Sequence, residues 1–597
     1  MRTFLASVSA RRGGRAALFA WLLGGLLLAR PARALEVSEL EARSIRRALG
    51  DRPELDDAPE NKRIESVEIV RLPVFDDDDP VPDFINIFHF QTRERVIRRE
   101  LLFAPGDRYQ AERVAETLRN LQLLPQFGVV VVAARKSRDP GQVRVVVIVR
   151  DVWSLRLSYD IQAGSKSLNY LQLNLSEDNL LGTRTRAGTI FTLQPDRYSM
   201  GALGLHPRVV GTKVDAYALG RVFVNRDSGK AEGSAVTLSV YRDLLALSDK
   251  WGFLVGGGWV VEQTRRYSDG VLQESDQHIP LVYRSSVARG GAQVTRSFGR
   301  ELKFNLTWGV ELNRRRYEAA RRSQDSDADF AAFVRDELPV SDTRVSPFLM
   351  LEHRTARFLA TRDVETLSLQ ESFSLGQIAA LRVYPAARSL GSSRTLLGTA
   401  AWLGYTWALD DGLLRVLGNS SVEHADHGRH QATTQAALRL VTPRLGFMRL
   451  VADSALVSTY RNYLNRQLIL GGGSRPRGYP SNAFRDASGA AATAELRTSA
   501  VNILSARVGL AAFYDVGGVG KQLPDVRLRQ SAGAGVRVLF PQVNRQVFRL
   551  DWAAPLSPPY RALPGAVYFT FGQAFDMPGT KLPDVLGAEG TLLDLSP

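Results

Sequence analysis

The fold is decided by eleven consecutive residues, Leu302-Lys303-Phe304-Asn305-Leu306-Thr307-Trp308-Gly309-Val310-Glu311-Leu312. Apolar side chains occupy every second position of this stretch, and Lys303, Asn305, Thr307 and Glu311 lie between them. Because successive side chains of a β-strand point to opposite faces, the stretch has one apolar face and one polar face. This pattern is typical of a membrane-spanning barrel strand, with lipid outside and a water-filled lumen inside.

Similar alternation recurs between residues 152 and 575. The further examples are Leu367, Leu369, Phe373 and Leu375 against Ser368, Gln370, Ser372 and Ser374, and Phe548, Leu550 and Trp552 against Val547, Arg549 and Asp551. A soluble β-sandwich also alternates, but the length of this region, the number of such stretches and an export signal favour a closed barrel. About sixteen strands of about ten residues each fit into it together with long loops.

The sequence therefore predicts a mainly-β protein. We expect a transmembrane antiparallel β-barrel of about sixteen strands over residues 152–575, followed by a C-terminal tail over residues 576–597. Residues 313–344, which include three consecutive arginines and several acids, are the best candidate for a long exterior loop.

The N-terminus predicts export from a bacterial cytoplasm. Four arginines within the first fifteen residues precede an apolar run over residues 16–28, and Ala32-Arg33-Ala34 is a cleavage site of the A-x-A type. The alternative, a membrane anchor, is weaker because the apolar run is short for a bilayer. We therefore interpret residues 1–34 as a signal peptide. The chain contains no cysteine, which excludes disulfides, thiol catalysis and zinc–thiolate sites.

Between the signal and the barrel we expect a linker over residues 35–62 and a small α+β domain over residues 63–151. The domain has the order strand, helix, helix, strand, strand, which packs two helices on one face of a three-stranded sheet. It resembles the POTRA domain, a periplasmic module. An exposed sheet edge of such a domain can bind extended segments by strand addition. The alternative is an α+β spacer without a binding role.

A second unusual stretch runs from Leu470 to Asn482. Three consecutive glycines and two prolines exclude a helix or a regular strand there. Arg477 and Tyr479 nevertheless lie within the same stretch. We interpret the stretch as a loop that folds back and packs inside the barrel, with Arg477, Gly478 and Tyr479 at its tip.

An acidic partner for the loop is expected on the strands that follow it. The period-two pattern over residues 507–515 places Asp515 on the lumen face. A carboxylate there could accept paired hydrogen bonds from Arg477, and Glu495 is a second candidate. In the alternative interpretation Arg477 points into water.

No catalytic constellation is recognisable. His424, His427 and His430 lie close to Glu423 and Asp426 and could bind a transition metal. A polar hairpin turn is the favoured interpretation, because the stretch lies between two alternating segments. We therefore expect a protein that is not an enzyme and that has no cofactor and no metal site.

Several motifs follow one another in the last third of the chain. In order they are Arg477-Gly478-Tyr479, the Phe-x-Asp-x-Gly motif of Phe513, Asp515 and Gly517, the glycine-rich stretch 533–537, Asp551-Trp552-Ala553-Ala554-Pro555-Leu556 and a last strand ending in Phe575. Together they resemble the BamA/TpsB superfamily of outer-membrane assembly and translocation proteins, with a surface-antigen-type barrel. The resemblance implies that the loop arginine pairs with the acid of the Phe-x-Asp-x-Gly strand as a structural latch. Pro476 and the tail after Phe575 depart from the family pattern.

The resemblance implies a function as well. It predicts an insertase or translocase of the bacterial outer membrane, with the POTRA-like domain in the periplasm. Its partners would be unfolded outer-membrane or exported client proteins, outer-membrane lipids, and periplasmic chaperones or accessory lipoproteins, and we expect no nucleic acid. Two alternatives remain at this point: a passive, porin-like channel, and a surface adhesion or structural barrel.

Overall fold

The computed structural model describes residues 39–571, except 51–53, 77–78, 80, 164–167, 269 and 473–474. The signal peptide expected over residues 1–34, the tail expected over residues 576–597 and the terminal aromatic Phe575 lie outside the described residues.

The N-terminal unit, residues 39–151, contains the predicted strand–helix–helix–strand–strand order. Its elements are α1 (Glu39–Leu49), β1 (Arg63–Leu72), a 3-10 helix (Asp83–Phe88), α2 (Glu94–Arg98), α3 (Ala111–Gln122), β2 (Phe127–Lys136) and β3 (Gln142–Asp151). Strand β3 lies in the middle of a three-stranded sheet, parallel to β1 and antiparallel to β2. Alternate valines of β3 are buried against Ile97 of α2 and Leu121 of α3, so these two helices cover one face.

Helix α1 corrects the prediction of a linker over residues 35–62. Its Ile45, Ala48 and Leu49 pack against Leu72 of β1 and Ile148 of β3, on the face opposite to α2 and α3. The few apolar residues of this stretch fall at helical spacing among many charged ones, so they form one narrow apolar stripe. The sheet is therefore covered on both faces.

The barrel begins directly after the N-terminal unit. Its first strands are β4 (Leu155–Ala163), β5 (Leu168–Leu180), β6 (Thr185–Leu193), β7 (Arg197–His206), β8 (Asp215–Asn225), β9 (Ala231–Arg242) and β10 (Trp251–Arg265). A short hairpin, β11 (Tyr267–Ser268) and β12 (Val271–Leu272), follows outside the wall. The wall resumes with β13 (Val282–Phe298), β14 (Leu302–Glu318), β15 (Asp342–Thr355), β16 (Arg357–Arg362) and β17 (Gln370–Ala386), and helix α4 (Asp327–Asp336) lies between β14 and β15.

The second half of the wall contains β18 (Leu396–Leu409), β19 (Gly412–Ala425), β20 (Gln431–Val441), β21 (Met448–Tyr460), β24 (Ser488–Thr498), β25 (Val501–Ile503), β26 (Ala506–Gly520), β27 (Arg529–Leu539), β28 (Phe548–Pro555) and β29 (Ala566–Phe571). Strands β22 (Leu468–Leu470) and β23 (Phe484–Asp486) pair with each other, apart from the wall. Strand β29 pairs with β4 and closes the barrel.

The prediction of sixteen strands is wrong, since the described residues form a closed barrel of 20 strands. In this count β15 and β16 are one strand interrupted at Ala356, because both pair with β17. Strands β24 and β25 are likewise counted as one, because both pair with β26. The prediction assigned too much chain to loops. Some turns are as short as residues 410–411. In the region 313–344 that was expected to be a loop, β14 continues to Glu318 and β15 begins at Asp342, so residues 319–341 connect the two strands.

The alternation that predicted the barrel is confirmed in β14. Its outward-facing residues Leu302, Phe304, Trp308, Val310 and Leu312 are exposed, whereas Lys303, Asn305 and Thr307 point inward and are buried. The second example is wrong, because Leu367 and Leu369 lie in the turn before β17 and Phe373 packs into a buried cluster with Leu359 and Leu413.

An interruption in the pairing of β17 explains this error. Gly376 has a φ of +84°, and the partner of β17 changes there from β16 to β15. The register is the same on both sides of this point, since Leu375 opposes Arg357 and Ile378 opposes Arg354, but the buried face changes from Glu371 and Phe373 to Ala380 and Arg382. Leu381 and Val383 are accordingly exposed on the outer surface.

The N-terminal unit is docked on one end of the barrel, which we call the near rim and define by the turns 181–184, 207–214, 243–250, 363–369, 504–505 and 540–547. Glu100 accepts from Arg184 at 2.8 Å and from Arg208 at 2.6 Å. On another side, Leu40 of α1 packs against Leu367 and Leu369. The contacts therefore reach several sides of the rim. Within the described part of the chain, no helix has the length and apolar character needed to cross a membrane.

Candidate functional site in the barrel lumen

The candidate site is formed by residues 461–487, which we call the lid loop, and by the strands that follow it. The loop leaves β21 at the end of the barrel opposite to the near rim, and β22 and β23 form its paired stem. At its tip, the amide of Gly472 donates to the carbonyl of Tyr479 at 3.0 Å. The tip is buried, with Arg477 and Tyr479 each only 1% exposed.

Gly478 allows the tip to approach the wall. Its φ is +89°, a left-handed conformation that favours glycine, and a Cβ atom there would lie 2.8 Å from the carbonyl oxygen of Ala553. A Cβ on Gly517 would similarly lie 2.8 Å from Cδ of Pro476. The two glycines, one from each predicted motif, are required by close contact between the loop and the wall.

Arg477 binds two carboxylates. Its Nε and Nη2 donate to the two oxygens of Asp515 at 2.8 and 2.9 Å, and its Nη1 donates to Oδ2 of Asp551 at 2.8 Å. Its backbone amide also donates to Oδ2 of Asp515, at 3.1 Å. The guanidinium lies 3.3 Å from the ring centroid of Phe513. This arrangement combines a bidentate ion pair with stacking on an aromatic ring, which only arginine can make.

Glu495 lies nearby in a wider network of charges. It is 3.6 Å from Nη1 of Arg477, but it accepts from Arg497 at 2.8 Å and from Arg537 at 3.1 Å. Arg537 also donates to Asp551, at 2.5 Å. Glu495 is therefore a more distant neighbour of the loop arginine than Asp515, and it connects the arginines on neighbouring strands.

The tip is bonded to the last four strands of the barrel. Of the two carboxylates that bind Arg477, Asp515 belongs to β26 and Asp551 to β28. The hydroxyl of Tyr479 donates to the carbonyl of Gln530 on β27 at 2.6 Å. The amide of Gly478 donates to the hydroxyl of Tyr568 on β29 at 2.9 Å. The ring of Tyr479 also packs on Phe484 and Tyr560, with ring centroids 5.1 and 5.4 Å away.

Sequence reasoning missed Asp551 and Tyr568 as partners of the loop. A signal for Asp551 was present, because the alternation of Phe548, Leu550 and Trp552 on the outer face already places Asp551 inside. No comparable local signal connects Tyr568 with a loop residue that precedes it by 90 positions. The predicted residues Arg477, Gly478, Tyr479, Phe513, Asp515 and Gly517 all come together in the structure.

The outer part of the lid loop is held by other segments. Asn465 donates to the carbonyl of Leu338 at 3.0 Å, and Arg485 donates to Glu337 at 2.9 Å, both just after helix α4. Tyr463 lies under the guanidinium of Arg394, 5.1 Å from its ring centroid. The loop is thus fixed both at its tip and near its two ends.

A second network of buried charges lines the lumen beside the loop. Arg344 on β15 bridges Glu423 on β19, at 2.8 Å, and Glu311 on β14, at 3.1 Å. Glu423 also accepts from Arg394 at 2.9 Å, and Glu311 from Arg382 at 2.6 Å. Ion pairs across neighbouring and non-neighbouring strands brace this side of the wall.

The histidine stretch forms a turn. His424 stacks on His430, with ring centroids 4.4 Å apart, and residues Asp426–Gly428 connect β19 to β20. Among the described residues, no group of three or more His, Asp or Glu side chains is arranged to hold a metal ion.

A closed antiparallel barrel with a loop latched inside its lumen defines a class of integral outer-membrane proteins. Residues 263–575 match the Omp85 superfamily domain, and the chain belongs to this superfamily. The resemblance to the BamA/TpsB superfamily is thereby confirmed. Membership supports, at the level of the family, a non-enzymatic insertase or translocase of the bacterial outer membrane that acts on client proteins.

Similar solved structures include BamA from Haemophilus ducreyi lacking POTRA domains 1–3, at 12% identity and a TM-score of 0.34, covering 95% of this chain and 98% of that one. CdiB from Acinetobacter baumannii matches at 11% identity and a TM-score of 0.38, covering 93% and 96%. CdiB from Escherichia coli matches at 13% identity and a TM-score of 0.39, covering 96% and 93%. At these scores the family assignment rests on the matched domain alone. No curated protein matches the chain.

Proposed function

We propose that this protein inserts or exports unfolded client proteins at the outer membrane by offering them strand edges to pair with. The observation that carries the proposal is the partial pairing between the described residues of the first and last strands. Within the part of the chain that the structure describes, which ends at Phe571, β29 and β4 pair at Val567 with Ala163, Tyr568 with Gln162 and Phe569 with Ile161. By contrast, β10 and β13 pair over the whole range from Trp251 to Arg265.

Among the described residues, this ladder covers the last three residues of β4. Over residues 155–160, β4 pairs with β5 on one side and has no ladder to a described residue on the other. Unpaired backbone groups at a strand edge are a template for another strand. A client segment could therefore add to β4 and become part of the wall before it leaves.

The height of the wall supports the same site. Strand β28, on the same side of the seam, has 8 residues, whereas β13, β14 and β17 each have 17. A lipid bilayer adapts to a low hydrophobic wall by becoming thinner, at an energetic cost. A thinner bilayer beside the seam would lower the barrier for inserting a client strand.

The N-terminal unit would act as a POTRA-like periplasmic domain that receives the client first. Its strand and helix order supports this assignment, and β2 is an edge strand of its sheet. One end of that edge is already occupied, because the amide of Asp56 donates to the carbonyl of Ala134 and the amide of Lys136 donates to the carbonyl of Glu54, both at 2.9 Å. A client would extend or displace this internal pairing. Periplasmic chaperones or accessory lipoproteins are the other partners we propose.

The lid loop serves as a structural latch in this proposal. Its tip binds β26, β27, β28 and β29, which form one side of the seam. The loop is held inside the barrel by several ion pairs and hydrogen bonds, and this fixed position supports an assembly or export role over a passive channel.

A disulfide across the seam tests the proposal. Since the chain has no cysteine, Ala163→Cys with Val567→Cys creates a single pair at directly opposed positions. We expect oxidation to stop client assembly or secretion in cells, and reduction to restore it. The matched control, Gly204→Cys with Ala218→Cys, joins opposed positions of β7 and β8, where the ladder is continuous. Normal client levels with the seam fully cross-linked would refute the proposal.

A further inference from the structure

An exposed apolar patch lies on the N-terminal unit, outside the lumen site. It consists of Phe84, Ile87, Phe88 and Phe90, which are 59%, 81%, 74% and 59% exposed. Four large apolar side chains within seven residues make an unusually concentrated apolar surface for a water-exposed domain. Such a surface indicates contact with a membrane or with another protein.

The backbone of this segment is held firmly in place. The side chain of Asn86 donates to the carbonyl of Phe75 at 2.9 Å and accepts from its amide at 3.1 Å. His89 lies 3.2 Å from both Asp151 and Ser154. The polar residues of the segment therefore point into the protein, and its apolar residues point outward. This orientation is the reverse of the usual one, and it is fixed by four side-chain hydrogen bonds.

The patch is continuous with the outer surface of the barrel. The carbonyl of Phe90 accepts from Asn179, which lies near the end of β5, at 3.1 Å. The next two residues, Leu180 and Leu181, are 40% and 49% exposed at the near rim. On the neighbouring strand β4, Leu155 and Leu157 are exposed on the outward face, so the apolar surface extends from the wall to the patch.

Basic residues follow the patch directly. Arg93, Arg95 and Arg99 are exposed on or beside helix α2. Arg93 donates to the carbonyl of Leu181 at 2.9 Å, which places this group of arginines at the level of the rim. Apolar side chains next to arginines fit the boundary between the acyl chains and the anionic headgroups of a phospholipid leaflet.

We propose that residues 84–90 insert into the inner leaflet of the outer membrane and anchor the N-terminal unit beside the first barrel strand. The lipid surface is the occupant that the continuity with the barrel wall and the adjacent arginines favour over a protein. The proposal rests on the outer-membrane barrel and on the periplasmic placement of the N-terminal unit, and it does not depend on the insertase activity.

The test uses the full chain with a single cysteine at the patch, Ile87→Cys, and a fluorophore whose emission responds to polarity. The labelled protein is placed in nanodiscs of phosphatidylethanolamine and phosphatidylglycerol, with or without lipids that carry a quencher on the acyl chain. We expect a blue-shifted emission and several-fold stronger quenching than for the control, Arg138→Cys. Arg138 is an exposed residue in the turn between β2 and β3, at the end of the sheet away from the barrel.

A second labelled protein, with its single cysteine at Phe88→Cys, repeats the measurement at another position of the patch. Retained heat-modifiable gel mobility shows that each labelled protein is folded. Emission typical of water at both positions, with quenching no stronger than at Arg138, would overturn the proposal. So would labels that become shielded only when a client protein is added, because the patch would then be a protein-docking surface.

Discussion

Arg477 is a buried cation whose neighbours are arranged around its charge. It shares a compact network with Arg497, Arg537 and Arg549 and with the carboxylates of Glu495, Asp515 and Asp551. Removing one partner of a buried ion pair leaves an uncompensated charge in a medium that solvates it poorly. The loop therefore depends on this single side chain more than on its apolar contacts.

Arg477→Ala should weaken the latch far more than Arg475→Ala. Asp515 would lose the paired hydrogen bonds from the Arg477 guanidinium, and losing one partner of a buried pair typically costs about 3–5 kcal/mol. Arg475 is a suitable control, because it is also a buried loop arginine but lies 3.7 Å from its partner Asp453. The measurement is heat-modifiable gel mobility together with client levels. Equal and minor effects of the two substitutions would contradict the latch.

Gly478→Ala should displace the loop tip, because the new Cβ would lie 2.8 Å from the carbonyl of Ala553. Left-handed backbone strain alone costs about 1–2 kcal/mol. Gly229→Ala is the matched control for this strain, since Gly229 has a φ of +65° and its new Cβ would have no atom within 4 Å. We expect a larger loss of thermal stability for Gly478→Ala than for Gly229→Ala, and equal losses would mean that the close approach is unimportant.

At the scale of elements, a row of aromatic side chains crosses the seam on the outer surface. Tyr159 of β4 lies 5.4 Å from Phe571 of β29 and 5.8 Å from Phe548 of β28. Among the residues that the structure describes, the backbone ladder between β29 and β4 extends to Phe569 and Ile161, two residues earlier. The side chains thus hold the two strands together where backbone pairing has ended.

Phe548→Ala should loosen the seam. Aromatic pairs contribute about 0.5–1.5 kcal/mol beyond their buried area. We therefore expect the open seam to become about two- to tenfold more populated. The readout is the rate at which a maleimide reagent labels Ala163→Cys. Phe191→Ala serves as the control, because Phe191 packs on Tyr198, with ring centroids 6.4 Å apart, away from the seam. A labelling rate unchanged from the parent would show that the aromatic row does not close the seam.

At the scale of the whole molecule, Asp79 connects the N-terminal unit to the barrel. It accepts from Gln542 at 2.7 Å and from Ser505 at 3.2 Å, both at the near rim, and it pairs with Arg150 at 2.8 Å. Burial alone would raise the pKa of Asp79. The hydrogen bonds from the Asp76 amide, Gln542 and Ser505 and the charge of Arg150 have the opposite effect and outweigh burial. The pKa of Asp79 is therefore lowered below its ordinary value of 3.8.

Docking of the N-terminal unit should therefore weaken in acid. A carboxylate with a depressed pKa stabilises the folded form above its ordinary pKa, and this contribution is lost as the pH falls through the lowered value. Asp79→Asn should speed hydrogen exchange in the turn 540–547 at pH values near neutral, and the difference should vanish once Asp79 is protonated. Asp139→Asn, in the turn between β2 and β3, is the control. A difference that persists in strong acid would contradict this explanation.

The features that were predictable from the sequence are those with a local period. The alternation in β14 indicated the barrel, and the period-two pattern before Asp515 indicated the luminal partner of Arg477. The number of strands was not predictable in the same way, because short turns carry weak signals and strands such as β13 and β14 extend to 17 residues. A turn without a clear signal merges two strands into one apparent segment.

Other features depend on distant parts of the chain. The seam length depends on the register between β29 and β4, whose residues are separated by almost the whole barrel. Helix α1 is stabilised by the sheet and the near rim, and its own sequence has only a narrow apolar stripe. The buried face of β17 changes at Gly376, although the alternation on each side of it is regular.

The one-sided attachment of the lid loop has a mechanical consequence. A closed barrel with one weak seam deforms most easily where it is least stiff. The loop tip is bound only to β26, β27, β28 and β29, so it stiffens only that side of the seam. Force applied by an entering chain would then be converted into rotation of β4, while the latched strands act as the fixed support. In the proposed function, β4 would then be the strand that moves, and a client strand would add to the wall at β4.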